Sequence, residues 1–139
     1  MPSKDQLVRE ALTTEIKKVS SIGATGSDWR LWNQETSLPA AYTILDEDDK
    51  ERAPTRSKEV TARFRIATII ASETPQDAFD ALRAAIETEI EDDPSLGGLA
   101  LDAWVSGCGR FATAKSIAGQ VYVRDIFVDV IYRYPRAQP

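Results

Sequence analysis

The sequence predicts an α+β fold: a mainly antiparallel or mixed β-sheet with two α-helices packed on one face, plus a charged β-hairpin arm. Three observations predict it. Apolar residues recur at helical spacing in two segments, they alternate in several others, and a dense run of charges separates two of the alternating segments. Runs of strands with helices between them are typical of α+β domains. We expect a single domain over residues 1–139, since a chain of this length can bury one sizeable core.

Two segments have the spacing of amphipathic helices. The first, residues 4–22, is expected to stop before Gly23. The second, residues 72–94, has Thr74 at the N-cap and Pro75 at the first helical position. The apolar stripes that should face the core are Val8, Leu12, Ile16 and Val19 in the first helix, and Phe79, Leu82, Ile86 and Ile90 in the second.

Alternating apolar residues predict the strands. In the last strand both faces carry apolar side chains, which indicates either a central strand or one face reserved for another subunit. A short strand or an irregular packed segment is expected around Trp29 and Trp32, and residues 107–119 are expected to be a loop or a ragged hairpin. The predicted strands are residues 40–45, 59–71, 98–106 and 120–134.

The charged segment, residues 46–59, has ten charged residues in fourteen and one proline. Such a composition cannot form a packed core, so the segment is expected to be a loop or a long exposed hairpin arm. If residues 40–45 pair with 59–71, the segment forms the tip of a β-hairpin between them.

The composition excludes several classes of chemistry. Histidine is absent, which excludes Ser–His–Asp and Cys–His arrangements and removes the commonest neutral metal ligand. Cys108 is the only cysteine, so no internal disulfide can form, and it is expected to be structural or incidental. We expect no cofactor, no metal and no catalytic residue.

Charge and hydropathy limit the partners. With 22 acidic and 17 basic residues the net charge is −5, which argues against nucleic-acid sequence recognition. We expect no secretory signal and no membrane partner, because the first residues have no apolar core and no run approaches the length that spans a bilayer.

Two oppositely charged groups of residues are candidates for an interface. The acidic run lacks the central glycine of an EF-hand loop and contains Lys50 and Arg52, so a cation site is not expected. Arg63 and Arg65 share one strand face, which is either an ordinary exposed surface or a basic strip that pairs with the acidic run of a neighbouring copy. The candidate subunit or tube interface is Asp46, Glu47, Asp48, Asp49, Glu51, Arg56, Lys58, Arg63 and Arg65.

The order of these segments resembles a known family. An N-terminal amphipathic helix precedes LPAAYTIL, an acid-rich stretch and the strand VTARFRIATII; the helix that follows leads into DDPSLGGLALD, and the chain closes on VDVIYRY. This pattern is similar to the tail-terminator or tail-completion proteins of long-tailed bacteriophages and prophages, the group that includes minor tail protein U. The resemblance covers nearly the whole chain.

The resemblance implies a structural virion assembly protein and no enzyme. Such a protein would oligomerise into a ring, commonly hexameric, that caps the tail tube, ends tail polymerisation and prepares head–tail joining. Its partners would be copies of itself, the tail-tube protein and head–tail connector proteins, first in the cytoplasm of the bacterial host and then in the virion tail. The alternatives are a head–tail joining protein or another phage-derived oligomeric adaptor, and a small enzyme that uses carboxylates or Lys115.

Overall fold

The structure is a computed structural model that describes residues 4–26, 38–52, 57–117 and 119–135. The predicted segment around Trp29 and Trp32 lies outside the described residues. The elements are α1 (Lys4–Lys17), β1 (Ala24–Gly26), β2 (Ala40–Arg52), β3 (Ser57–Ile70), α2 (Pro75–Asp92), β4 (Asp102–Cys108), β5 (Ala112–Ser116) and β6 (Gly119–Pro135).

The described strands form one sheet in the order β1-β2-β3-β6-β4. Only β1 and β2 pair in parallel; the other neighbours are antiparallel. β5 also pairs with β6, next to β4 on the same side of that strand. A mixed, mainly antiparallel sheet with two helices confirms the predicted fold class.

Both helices pack on one face of the sheet. The eight residues of the two predicted helical stripes are buried in one cluster with the side chains of β3 and β6. Burying one such side chain contributes about 1.5–3 kcal/mol relative to leaving it in water. Because this cluster is the larger of the two apolar clusters described, it contributes more hydrophobic stabilisation than the other. The sheet contributes to the cluster Val60, Ala62, Phe64 and Ile66 from β3, and Ile126, Val128, Val130 and Tyr132 from β6.

The first helix is shorter than the sequence predicts. It ends at Lys17 rather than at residue 22, because the next backbone bonds span only three residues: Lys18 N donates to Glu15 O and Val19 N donates to Ile16 O. Val19 nevertheless stays buried, so the apolar stripe continues through a tighter turn.

The segment after α2 is a compact turn. Ser95 Oγ donates to Asp93 Oδ1 at 2.7 Å and Gly97 N donates to Asp93 Oδ2 at 2.9 Å. Leu96 has a φ of 50° although it carries a side chain, and that side chain is buried. Ala100 N donates to Ser95 O at 2.8 Å, which closes the turn. The next strand therefore begins at Asp102 and not at residue 98.

The charged segment belongs to the sheet. β2 continues through the acidic run to Arg52, with an irregularity in its pairing with β3 between Leu45 and Glu47. β3 pairs on its other side with β6 as far as Ser57 and Pro135. The predicted hairpin arm is therefore a continuation of the central strands, supported by a third strand.

Residues 107–119, expected to be a loop or a ragged hairpin, contain the strand β5. β5 pairs with the start of β6, and Gly119 has a φ of 97°, a conformation that residues with a side chain rarely adopt. The short connection between β5 and β6 depends on this glycine.

Candidate functional site

The candidate site is the face of the sheet opposite the helices, called here the open face. No helix packs on it within residues 4–26, 38–52, 57–117 and 119–135. Because side chains alternate along a strand, every second residue of the four longest strands belongs to this face. Its central residues are Tyr42 and Ile44 from β2, Arg63, Arg65, Ala67 and Ile69 from β3, Val123, Asp125, Phe127 and Asp129 from β6, and Trp104 from β4.

Two ion pairs lie in the middle of the open face. Arg63 Nε lies 3.1 Å from Asp129 Oδ1, and the residues are directly opposite each other on β3 and β6. Arg65 Nη1 lies 3.6 Å from Asp125 Oδ2. The Arg63 guanidinium also lies 5.5 Å from the centre of the Phe127 ring. All four charged side chains are partly exposed, so each pair adds little stability, about 0–1 kcal/mol.

An apolar cluster occupies the end of the open face next to β1. Ala40, Tyr42, Ile69 and Val121 are buried there. Beside them is a cavity of about 320 Å³. Its lining is mostly apolar, and its two charged side chains, Arg65 and Asp125, form an ion pair with each other, so the lining does not resemble a set of convergent catalytic groups. The lining residues are Tyr42, Ile44, Arg65, Ala67, Ile69, Val123 and Asp125.

Large apolar side chains are exposed along the β4–β5 side of the sheet. Trp104 lies opposite Asp129 on the open face and is 37% exposed. Leu101 precedes β4 and is 56% exposed, and Ile117 at the β5–β6 turn is 70% exposed. Exposed apolar groups near one edge of a sheet are typical of a surface that another protein covers.

The outer edge of β2 is largely unpaired in the described part of the chain. β1 covers it only at Ala40, Ala41 and Tyr42. From Thr43 to Arg52, β2 pairs with β3 on its inner side, and no described strand pairs with its outer side. This stretch contains the predicted acidic residues, so they lie on an edge strand and not in a loop.

A second cluster lies under the helices, around Cys108. Arg124 Nη2 lies 3.1 Å and Arg83 Nη1 3.4 Å from Cys108 Sγ. The pKa of the Arg83 guanidinium is raised, and the main cause is its hydrogen bond to Glu87. The sequence has no histidine that could act as a base for the thiol. The spacing of these residues along the sequence does not predict their contact.

The Arg124 side chain joins this cluster to two aromatic rings. Its guanidinium carbon lies 4.4 Å from the centre of the Phe79 ring and 4.6 Å from that of Phe111. Arg124 Nε donates to Gly109 O at 2.7 Å. These contacts fasten α2 to the β4–β5 connection, which is a structural role.

The structure brings together some of the predicted interface residues and separates others. Arg63 and Arg65 lie on the open face as predicted, but each forms an ion pair with an aspartate of its own chain. Lys58 lies in β3 opposite Arg52. Arg56 lies outside the described residues. The acidic residues, all in β2, are Asp46, Glu47, Asp48, Asp49 and Glu51.

Over the described ranges, no group of three or more His, Cys, Asp or Glu side chains is placed to hold a metal ion. None of the described helices is both long and apolar enough to cross a membrane.

Comparisons with known proteins find likenesses among the solved structures. No family model matches the chain, and no curated protein matches it. Among the solved structures, a chain from a structure titled "Virion of native gene transfer agent (GTA) particle" matches with a TM-score of 0.41 and 11% sequence identity. The match covers 90% of this chain and 94% of that chain. At this TM-score and identity, the likeness carries no argument about function.

Proposed function

We propose that this chain is a structural virion assembly protein of a long-tailed phage or prophage. Copies of it form a ring on the end of the tail tube, stop tube polymerisation and prepare the tail for joining to the head. The protein acts in the bacterial cytoplasm during assembly and then stays in the virion tail.

The proposal rests on one observation: among the described residues, one face and part of one edge of the sheet have no other element packed on them. One face has no helix on it, and it ends at an edge with exposed Trp104. A single-layer sheet of this kind needs either a polar open face or a partner. The open face is mixed: ion pairs fill its centre, while apolar groups occupy its two sides. Such a surface suits contact with other protein subunits.

The sequence resemblance supplies the particular assembly. Its two most specific pieces have defined structural positions: DDPSLGGLALD contains the turn after α2, and VDVIYRY lies in the second half of β6, which pairs with β3. Both positions build the scaffold and neither brings catalytic groups together. This supports a structural protein and gives no support to a small enzyme.

The charged residues have assigned roles in this proposal. The acidic run of β2 contacts a neighbouring copy. Arg63 and Arg65, with Lys58 and Arg56, belong to the surface that meets either a neighbouring copy or the tail-tube protein. Since Arg63 and Arg65 already hold Asp129 and Asp125, any new acidic partner would have to exchange with these carboxylates or add to them.

The test combines solution mass with tube assembly. Light scattering after size exclusion is expected to find a ring-sized oligomer, alone or with the tail-tube protein of the same phage. Electron micrographs of assembling tubes should show ring-shaped caps and an end to further growth. A tail that accepts the protein only after its length is already fixed would favour the alternative of a head–tail joining protein. A monomer at high concentration that also ignores tube protein would refute the proposal.

A matched pair of variants tests the surface. Trp104→Glu places a charge at the exposed edge of the open face, and Gln76→Glu places one at an exposed position of α2. The first is expected to reduce oligomerisation or tube capping, because it adds a desolvation cost to a contact. The second should leave both unchanged.

A further inference from the structure

The two edges of the sheet match each other along the strand direction. One row of paired residues crosses the whole sheet: Ala24 of β1, Ala40, Ile69, Val123 and Ala112 of β5. The short edge strand β1 is therefore level with β5 on the opposite edge. Each edge then continues in the same direction with a longer segment.

The longer segments are level as well. Cys108 at the end of β4 shares a row with Thr43, the first β2 residue beyond β1, through Ile126 and Ile66. In the same way, Trp104 shares a row with Glu47 through Asp129 and Arg63. Thus β4 lies at the height of the part of β2 that has no outer strand among the described residues.

Strand directions also fit. β2 is antiparallel to β3, β3 to β6, and β6 to β4, so β2 and β4 run in opposite directions. Rotation about an axis parallel to the strands changes neither direction nor height. A second copy placed by such a rotation therefore offers its β2 antiparallel to β4 of the first. Antiparallel pairing is the more stable ladder, and repeated rotation generates a ring.

Charge favours this contact over a symmetric one. The edge segment of β2 from Asp46 to Arg52 has five acidic and two basic residues, a net charge of −3. Pairing two β2 edges would place like charges opposite each other, which is destabilising. β4, which lies level with this segment, has Asp102 as its one charged residue, whereas exposed Arg110 and Lys115 lie level with the β1 end of β2. Asp102 shares a row with Asp49.

We infer that neighbouring copies join edge to edge, with β2 of one copy hydrogen-bonded antiparallel to β4 of the next. The inference rests on the proposed ring and names its subunit contact. The sheet then continues from copy to copy, all helices lie on one side of the ring wall, and the acidic run is used through its backbone. It differs from pairing of the acidic run with Arg63 and Arg65, whose guanidinium groups hold aspartates of their own chain.

Disulfide crosslinking between copies tests the contact. Both proteins carry Cys108→Ser; one adds Trp104→Cys, and the other adds Ile44→Cys, Glu47→Cys or Asp49→Cys. Directly opposed residues on antiparallel strands lie about 4.5–5.5 Å apart at Cα, within the range for a disulfide. Mild oxidation of the mixture is expected to give a crosslinked dimer, most strongly for Glu47→Cys. In the control mixture, Gln76→Cys at an exposed position of α2 replaces the β2 cysteine, and no crosslink to the Trp104→Cys protein is expected.

Each protein is also oxidised alone, and light scattering is run in parallel. Crosslinking in the mixture and its loss in either protein alone support the inference. An oligomer in which no β2 position links to Trp104→Cys overturns the edge contact and leaves the proposed ring standing. Crosslinking of Glu47→Cys protein with itself also overturns it, because that indicates a symmetric β2 contact. A monomer under all conditions, with tube protein present, refutes both. That monomer is also the result expected if the acidic residues on the β2 edge serve only to prevent association.

Discussion

Removal of the Arg124 side chain is expected to destabilise the fold strongly, although arginine is usually a surface residue. Its guanidinium lies against the Phe79 and Phe111 rings at 4.4 and 4.6 Å and donates to Gly109 O at 2.7 Å. Arg124→Ala removes all three contacts. It also leaves space beside two rings that pack edge to face at 5.6 Å.

The expected loss can be worked from these contacts. Each cation–π contact in a partly desolvated setting contributes about 1 kcal/mol. A hydrogen bond from a charged donor contributes about 1.5–3 kcal/mol. Because water can enter the vacated space and hydrogen-bond to Gly109 O, we take the lower end of the hydrogen-bond range and expect a total loss of about 3.5 kcal/mol. With a urea dependence of about 2 kcal/mol per molar, the unfolding midpoint falls by about 1.7 M.

Urea unfolding followed by circular dichroism measures this loss. Arg124→Lys should recover part of it, because the ammonium keeps the charge but cannot stack a planar group on two rings. The control is Arg110→Ala, an exposed arginine in the same connection, which should change stability by no more than about 0.5 kcal/mol. A loss below about 1 kcal/mol for Arg124→Ala would show that the stacked arginine does not hold α2 to the sheet.

Two further substitutions test the core and the turn after α2. Ile86→Ala should cost about 2–5 kcal/mol by opening a cavity between α2 and the sheet, whereas exposed Thr88→Ala on the same helix should cost far less; equal thermal melts would contradict the packing. Asp93→Asn should destabilise only above acidic pH. Hydrogen bonds from Ser95 and then Gly97 lower the pKa of Asp93 below its ordinary 3.8, so its contribution is present above 3.8 and lost as pH falls through the lower folded-state value. Urea midpoints of both proteins across pH should converge in acid, and a gap that persists there would argue against the charged form.

Local patterns were sufficient for the elements whose apolar spacing is strong. All eight residues of the two helical stripes are buried, and β6 has Ile126, Val128, Val130 and Tyr132 on its covered face as its alternation indicates. The pattern failed where hydrogen bonding to strands distant in the sequence decides whether a segment forms a strand. Charged residues disfavour a strand locally, yet β2 continues through its acidic run because β3, backed by β6, offers a ladder on its inner side.

The sequence pattern also did not predict where α1 ends or which distant segments are in contact. α1 ends at Lys17 because the backbone tightens into three-residue turns, while the apolar period continues to Val19. The residues around Cys108 come from α2, β4 and β6, and no local spacing relates them. Charge alone indicates the candidate interface residues, whereas the ion pairs of Arg63 and Arg65 with Asp129 and Asp125 depend on the register of β3 with β6.

By itself, the sequence determined the fold class and the faces that are buried, because side-chain period is a direct consequence of helix and strand geometry. It also determined that histidine chemistry is absent. Only the tertiary structure decided which rows of residues cross the sheet, and so which parts of its two edges are level. Register is set by pairing between strands far apart in the chain, and a one-residue change would exchange the two faces.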